Sequence, residues 1–302
     1  MKIDRSSARF TTQEGISKAT NRLDNAGFWH NVKKKNGTKV PTYKPVINSD
    51  DVLTMRLQGL DAPELHYMTG KPLFRQLMGE TAGVELYRFL KRQTNSNTIP
   101  CEVFTLVNEP NDVFDKYGRC VGDIIIRDKD GKSININNWL VEQGHAYPAF
   151  YNSMTTQEIN NLRRLSNKAL RRKLNAWGYI SYKMKSLDRK LTHDKKDLTY
   201  SPQADRRSPV IFPKLFRRLW EFEIKNKTAF STGGYKEFVD SRKNDRCCST
   251  NVFLSGGFPK KAPLLGSFLD KSGKINFKPA EIVFREAGTT LKDNKGNKIT
   301  SF

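Results

Sequence analysis

The chain has 302 residues, 37% hydrophobic and 11% aromatic, enough to pack one large domain or two ordinary ones and too apolar for a disordered chain. Lysine and arginine number 53 against 31 acids, a formal charge of +22, and such an excess calls for a polyanionic partner, nucleic acid before an anionic membrane. With no apolar run of membrane-spanning length and no leader-like core in "MKIDRSSARFTTQEG", a soluble, cytoplasmic protein is expected.

In chain order, residues 1–19 read as an extension. "FWHNV" (28–32) and "VLTMRLQGL" (52–60) read as strands, and the segment between them, with a turn at Asn36-Gly37, as an insertion in a hairpin. A helix is expected over 72–92, with Pro72 in its first turn and Leu73, Leu77, Val84 and Tyr87 at helical spacing, although Gly79 and Gly83 weaken its middle. "CEVFTLV" (101–107) and "GRCVGDIII" (118–126) read as strands. "RDKDGKS" after them lacks the remaining ligands of a calcium loop and reads as a plain turn.

A short helix follows in "NINNWLVEQG", stopped at Gly144. Thr155 and Glu158 form a capping-box pattern for a longer helix that lines up Ile159, Leu162, Leu165, Ala169 and Leu174. Strands, helix, strands and two helices, without βαβ alternation, predict a small antiparallel barrel with helices packed on it over 20–180. Residues 181–209 are polar and basic and read as a linker. Residues 210–302 read as a second small, mostly β domain without a chemical motif. The four cysteines have no paired metal spacing and are expected as reduced thiols.

Three segments carry chemistry: Arg56, Asp61 and Glu64 in "RLQGLDAPE", "DKYGR" at 115–119, and "YPAFY" at 147–151. Cleaving a phosphodiester requires a carboxylate to orient or deprotonate water, and cations to neutralise charge building on the phosphate. Arginine forks and a divalent metal suit the second task, and aromatic faces stack on bases. Strand alternation places Arg56 and Asp61 on opposite faces, so they serve one site only if the strand breaks near Gly59. Tyr147, Phe150 and Tyr151 are equally well explained as core. His30, His66 and His145 read as ordinary structural or exposed histidines.

"RLQGLDAPE", a helix, "DKYGR", "NNWLVEQGHA" and "KLNAWG" together resemble the staphylococcal nuclease-like (thermonuclease) family over residues 20–180, best over 50–180. The resemblance implies an α+β fold, a five-stranded OB-type barrel with three helices, and cleavage of DNA and RNA with bound Ca²⁺, with Mg²⁺ or Mn²⁺ as alternatives. It implies that Arg56 and Arg119 clamp the phosphate, that Asp61 and the carbonyl of Ala62 bind the metal, and that Glu64 positions or activates water. Lys116 and Tyr117 match a phosphate contact, and Phe150 or Tyr151 an aromatic of the nucleotide pocket. One departure stands out. The family's second metal-binding aspartate falls on Ala26, leaving Asp24, by a register shift, as the replacement; Asp50 and Asp51 are other candidates.

Ten basic residues between Arg163 and Lys190 add phosphate contacts without reading bases. The leading expectation is a metal-dependent nuclease. The alternatives are a nucleic-acid-binding barrel that has lost catalysis, and a scaffold that docks a protein through 210–302.

Overall fold

The computed structural model describes residues 9–11, 17–19, 29–32, 42–45, 52–67, 72–94, 96–105, 115, 119–193, 211–286 and 297. Asp24, Ala26, Asp50, Asp51, Lys116 and Tyr117, and the Asn36-Gly37 turn, lie outside them. The chain divides into two compact units. One comprises Met1–Gln58, Pro100–Ile126 and Glu286–Phe302, the other Gly59–Ile99 and Arg127–Arg285. Among the described residues no helix is long and apolar enough to cross a membrane, and no cysteines pair as a disulfide.

The first unit is built of short strands. Arg9–Thr11 pairs antiparallel with Ser17–Ala19, and Trp29–Val32 with Thr42–Pro45. The hairpin partner of "FWHNV" is therefore "TYKP", not the strand at 52–60. That strand is Met55–Leu57, and it runs parallel to Cys120–Arg127, with Met55 opposite Cys120 and Arg56 opposite Val121. Cys101–Phe104 pairs antiparallel with the far half of the same strand. Among the described residues no sheet closes into a barrel, so the expected five-stranded closure is not seen.

The second unit holds six α-helices among its described residues. Helix α1, Gly79–Gln93, begins seven residues later than its apolar spacing suggests. The segment before it is occupied: Leu73–Phe74 pairs antiparallel with Thr192–His193, and Met78 takes a left-handed turn at φ 68°. Helix α2, Ile136–Glu142, is capped by the Asn135 side chain, which accepts from Asn138 N at 2.9 Å. Helix α3, Thr156–Arg171, opens on the expected capping box, Thr155 Oγ1 accepting from Glu158 N and Glu158 Oε2 from Thr155 N. Its Ile159, Leu162, Leu165 and Ala169 are buried. The "RDKDGKS" turn is closed by Asp128, whose Oδ1 accepts from the amides of Asp130 and Lys132, so this carboxylate serves the backbone.

The C-terminal region is mostly helical rather than β. It forms α4 (Pro213–Trp220, continued by a π-helical turn over Glu221–Lys225), α5 (Thr232–Asp240) and α6 (Thr250–Gly256), with only the short strands Cys247–Ser249 and Ile282–Phe284. Pro213 pre-sets the first turn of α4, and Leu215, Phe216, Leu219 and Phe222 recur at helical spacing on its buried side.

This region shares its core with the rest of the unit. One hydrophobic cluster joins Phe74, Leu77, Tyr147 and Trp177 to Phe212, Leu215, Leu219, Ile282 and Phe284. Phe150–Tyr151 runs parallel to Ile282–Phe284, which in turn pairs with Cys247–Ser249. The segment read as a linker is anchored too, from 181 to 193. Met184, Leu187 and Leu191 are buried, and Met184 N donates to Gly273 O at 2.8 Å. Each fully buried large apolar side chain contributes about 1.5–3 kcal/mol, so residues 211–285 do not behave as a loosely tethered module.

The break expected near Gly59 is present. Strand Met55–Leu57 ends, Gly59 turns at φ 72°, and Leu60–Asp61 begins a new pairing with Tyr147–Pro148. A Cβ on Gly59 would lie 2.5 Å from Leu162 Cδ1 and 2.7 Å from Met154 Cε. Gly59→Ala is expected to lower stability by about 1–3 kcal/mol, from the left-handed backbone and the crowding together. Urea denaturation tests this, and an unchanged midpoint would contradict it.

Candidate functional site

Asp61 and Glu64 leave the strand Leu60–Asp61 on a short, firmly held loop. Asp61 lies opposite Tyr147 in the antiparallel pair, Ala62 is half-buried and Pro63 is buried. The loop is fixed by Gln76, only 3% exposed. Gln76 N donates to Glu64 O at 2.8 Å, and Glu64 N donates to Gln76 Oε1 at 3.0 Å. The remaining Gln76 amide hydrogens face α4, where Nε2 donates to Ile211 O at 2.6 Å. The start of α1 presses on the same point: a Cβ on Gly79 would come within 2.4 Å of Glu64 O, which only glycine avoids.

Both carboxylates turn to one cation, Arg217 of α4. Its Nη2 donates to Asp61 Oδ2 at 2.6 Å and its Nη1 to Asp61 Oδ1 at 3.2 Å. Nη1 also donates to Glu64 Oε1. The side chains are 24%, 20% and 17% exposed for Arg217, Asp61 and Glu64, partly shielded from water. Burial alone would weaken the guanidinium's hold on its proton. Asp61 and then Glu64 outweigh it and raise the arginine pKa further.

Helix α4 is bolted to the same loop beyond Arg217. Tyr67 donates its hydroxyl to Glu221 Oε1 at 3.4 Å and meets the Trp220 ring edge-on at 5.4 Å. Arg218 forks onto Asp245, Nη2 to Oδ1 at 2.9 Å, and also donates Nη1 to Glu221 at 3.0 Å. Lys214 Nζ stands 3.3 Å from Asp245 Oδ1. Burial would raise the Asp245 pKa, but the Arg218 hydrogen bonds and Lys214 hold it below the usual carboxylate range.

The two arginines expected to clamp phosphate lie in the first unit, Arg56 on the strand Met55–Leu57 and Arg119 just before the parallel strand Cys120–Arg127. Arg56 Nη1 stands 3.3 Å from Glu286 Oε1. Arg119 is forked onto buried Asp115, with Nε to Oδ2 at 2.7 Å and Nη2 to Oδ2 at 2.6 Å. Asp61 and Glu64 are thus brought together in one unit, Arg56 and Arg119 in the other, and each of the four carries an intramolecular ion pair.

Phe150 is 0% exposed, paired in the sheet with Val283 and packed beside Val141 and Ile159, so it cannot offer a face to a base. Tyr151 leans on Phe284 at 6.1 Å, part of the core edge. Of the aromatic reading, packing is what these two residues do. Tyr147 is buried as well, and its hydroxyl donates to Ala176 O at 3.1 Å. His66 stacks with His193 at 5.8 Å, and burial lowers the pKa of His145.

The donor set does not fit a calcium ion. Calcium takes six to eight oxygens, with carboxylates supplying the charge. Here both oxygens of Asp61 and Oε1 of Glu64 already accept from a guanidinium. Among the described residues no group of three or more His, Cys, Asp or Glu side chains is placed to hold a metal.

Arg217, Gln76 and Glu286 were not legible as site residues. Arg217 lies 156 positions from Asp61. Only its place in the amphipathic "PKLFRRLW" marked it as a charge beside a buried helix face. Gln76→Ala would leave the Glu64 amide and the Ile211 carbonyl without their buried partner, and is expected to cost about 2–4 kcal/mol. A loss below about 0.5 kcal/mol in urea titration would show that Gln76 does not hold the loop. Asp245 makes a pH-dependent contribution. Its folded pKa is depressed, so its stabilisation is present above the ordinary carboxylate range and lost as pH falls through that range and below. Asp245→Asn should flatten the acid limb of the stability profile.

No curated protein matches the chain. A family model described as Staphylococcal nuclease homologue matches residues 54–179 and the remainder of the chain matches no family model, so the segment similar to that family is the one whose two acids are gripped by an arginine from outside it.

Proposed function

We propose that the chain binds nucleic acid through its nuclease-homologue segment and does not use Asp61 and Glu64 for metal-assisted hydrolysis. The observation that carries this reading is the shared ion pair of both acids with Arg217. A carboxylate that accepts from a guanidinium is poorly placed to orient or deprotonate water. Binding is supported by the family match, by the charge of +22 and by a basic face along α3 and beyond it. Arg164, Lys168, Arg171, Arg172, Lys173, Lys183, Lys185, Arg189 and Lys190 are exposed there. Phosphate contacts of this kind give affinity without base selection.

A second reading, the metal-dependent nuclease, draws on the same loop. Asp61 and Glu64 converge on one cation, and Arg56 lies on a strand whose parallel neighbour begins right after Arg119. In that reading Asp61 holds Ca²⁺, Glu64 positions water and the two arginines stabilise the phosphoryl charge, all after Arg217 has left. The protein-docking scaffold is less favoured, because many of the large apolar residues of 211–285 are used in the shared core.

Fluorescence anisotropy with a labelled single-stranded oligonucleotide separates the readings. Affinity is expected to fall with salt, and Arg171→Ala with Arg172→Ala to reduce the log–log salt slope by about 0.7–0.9 for each phosphate no longer neutralised. In parallel, plasmid and oligonucleotide are incubated with Ca²⁺ or chelator. Binding without calcium-stimulated cleavage supports the proposal. Calcium-stimulated cleavage abolished by Glu64→Gln establishes the nuclease instead.

A further inference from the structure

We infer that Arg217 takes the place of a divalent cation at the Asp61–Glu64 pair, closing this site to Ca²⁺ with a permanent organic charge. The first ground is geometric. One guanidinium engages three carboxylate oxygens, two from Asp61 and one from Glu64, so a single positive charge occupies the space in which a cation held by Asp61 would lie.

The second ground is how α4 is held. A latch that opens must part readily from its seat. Helix α4 buries Leu215, Phe216 and Leu219, joins the Glu64 loop through Gln76 and Ile211, and rejoins it through Glu221 and Tyr67. Arg218, the next residue, is fixed on Asp245. Withdrawing Arg217 by moving the helix would break all of these interactions together. Swinging the side chain alone would take its charge and its hydrogen bonds away from both acids. A fixed cation accounts for both features.

The third ground is capacity. With Nη1 committed twice and Nη2 once, the Nε–H of Arg217 makes no hydrogen bond among the described residues, on a side chain that is 24% exposed. A bridging metal keeps open coordination positions for a substrate oxygen. Arg217 keeps an N–H that can reach an anionic oxygen, which for this chain would be a phosphate, a point that rests on the nucleic-acid reading above. Arginine's fixed fork suits such an oxygen better than lysine's point charge.

The decisive experiment needs no nucleic acid. Calorimetry with CaCl₂, and sensitised luminescence with TbCl₃ as the probe, are run on wild type, Asp61→Asn, Arg217→Met, and Arg217→Met with Asp61→Asn, each checked for folding by circular dichroism. Wild type is expected to show no Asp61-dependent site. Arg217→Met is expected to gain Ca²⁺ affinity by about tenfold or more, and Asp61→Asn to remove the gain. A merely structural arginine would give no such gain. Folded Arg217→Met without a gain overturns the inference. Wild type that binds Ca²⁺ and loses it with Asp61→Asn overturns it even if Arg217→Met does not fold. A separate arm measures oligonucleotide affinity in chelator for Arg217→Lys. A fall of roughly tenfold supports the phosphate interaction. Unchanged binding removes that interaction alone, and binding by neither protein sinks the nucleic-acid reading while the metal result stands.

Discussion

Between Asp61 and Glu64 sits a guanidinium that reaches them from a different stretch of chain, and much of the second unit is arranged to keep it there. Two carboxylates three residues apart repel each other, the more so when water is partly excluded. Arg217 removes that repulsion with hydrogen bonds as well as charge. Exposed ion pairs contribute about 0.2–1 kcal/mol, and breaking a fully buried pair costs about 3–5 kcal/mol. With side chains 17–24% exposed, this trio falls between those limits. It is strong enough to set the direction of both acids and too weak alone to hold a helix in place.

The helix is held by other means. Leu215, Phe216 and Leu219 enter the same core as Phe74 and Tyr147, and the strand Ile282–Phe284 pairs beside Phe150–Tyr151. Burial of these groups, at about 1.5–3 kcal/mol each, outweighs the ion pair several times over. The order of causes is therefore packing first, orientation second. The hydrophobic core brings α4 against the loop, Gln76 sets the loop's height, and Arg217 then fixes the acids. The segment matched by the family model is in this way walled by sequence that the model does not cover.

Local patterns were readable where a local rule decides structure. The Thr155–Glu158 capping box and the break at Gly59 each follow from a few neighbouring residues, and each is present. The late start of α1 was not readable, because Leu73 and Phe74 are claimed by Thr192 and His193, more than a hundred positions away. "PKLFRRLW" does have helical spacing, yet the glycines and aromatics around it suggested strands. The polar, basic run at 181–193 concealed three buried apolar residues, Met184, Leu187 and Leu191, too few among the charges around them to declare a core. The resemblance singled out Asp61 and Glu64 as site residues, and the structure turns both toward one cation. It could not supply Arg217, since charge complementarity over 156 positions leaves no trace in composition or periodicity.

Whether Arg217 holds both acids in solution is measured directly by two double-mutant cycles. Stabilities are determined by urea denaturation for Arg217→Met, Asp61→Asn, Glu64→Gln and the two doubles that include Arg217→Met. Coupling energies of about 1–3 kcal/mol are expected for Arg217 with Asp61, and a smaller but clear value with Glu64. Additive effects in both cycles, within about 0.3–0.5 kcal/mol, would mean that the guanidinium does not grip the pair, and would contradict the central role given to it.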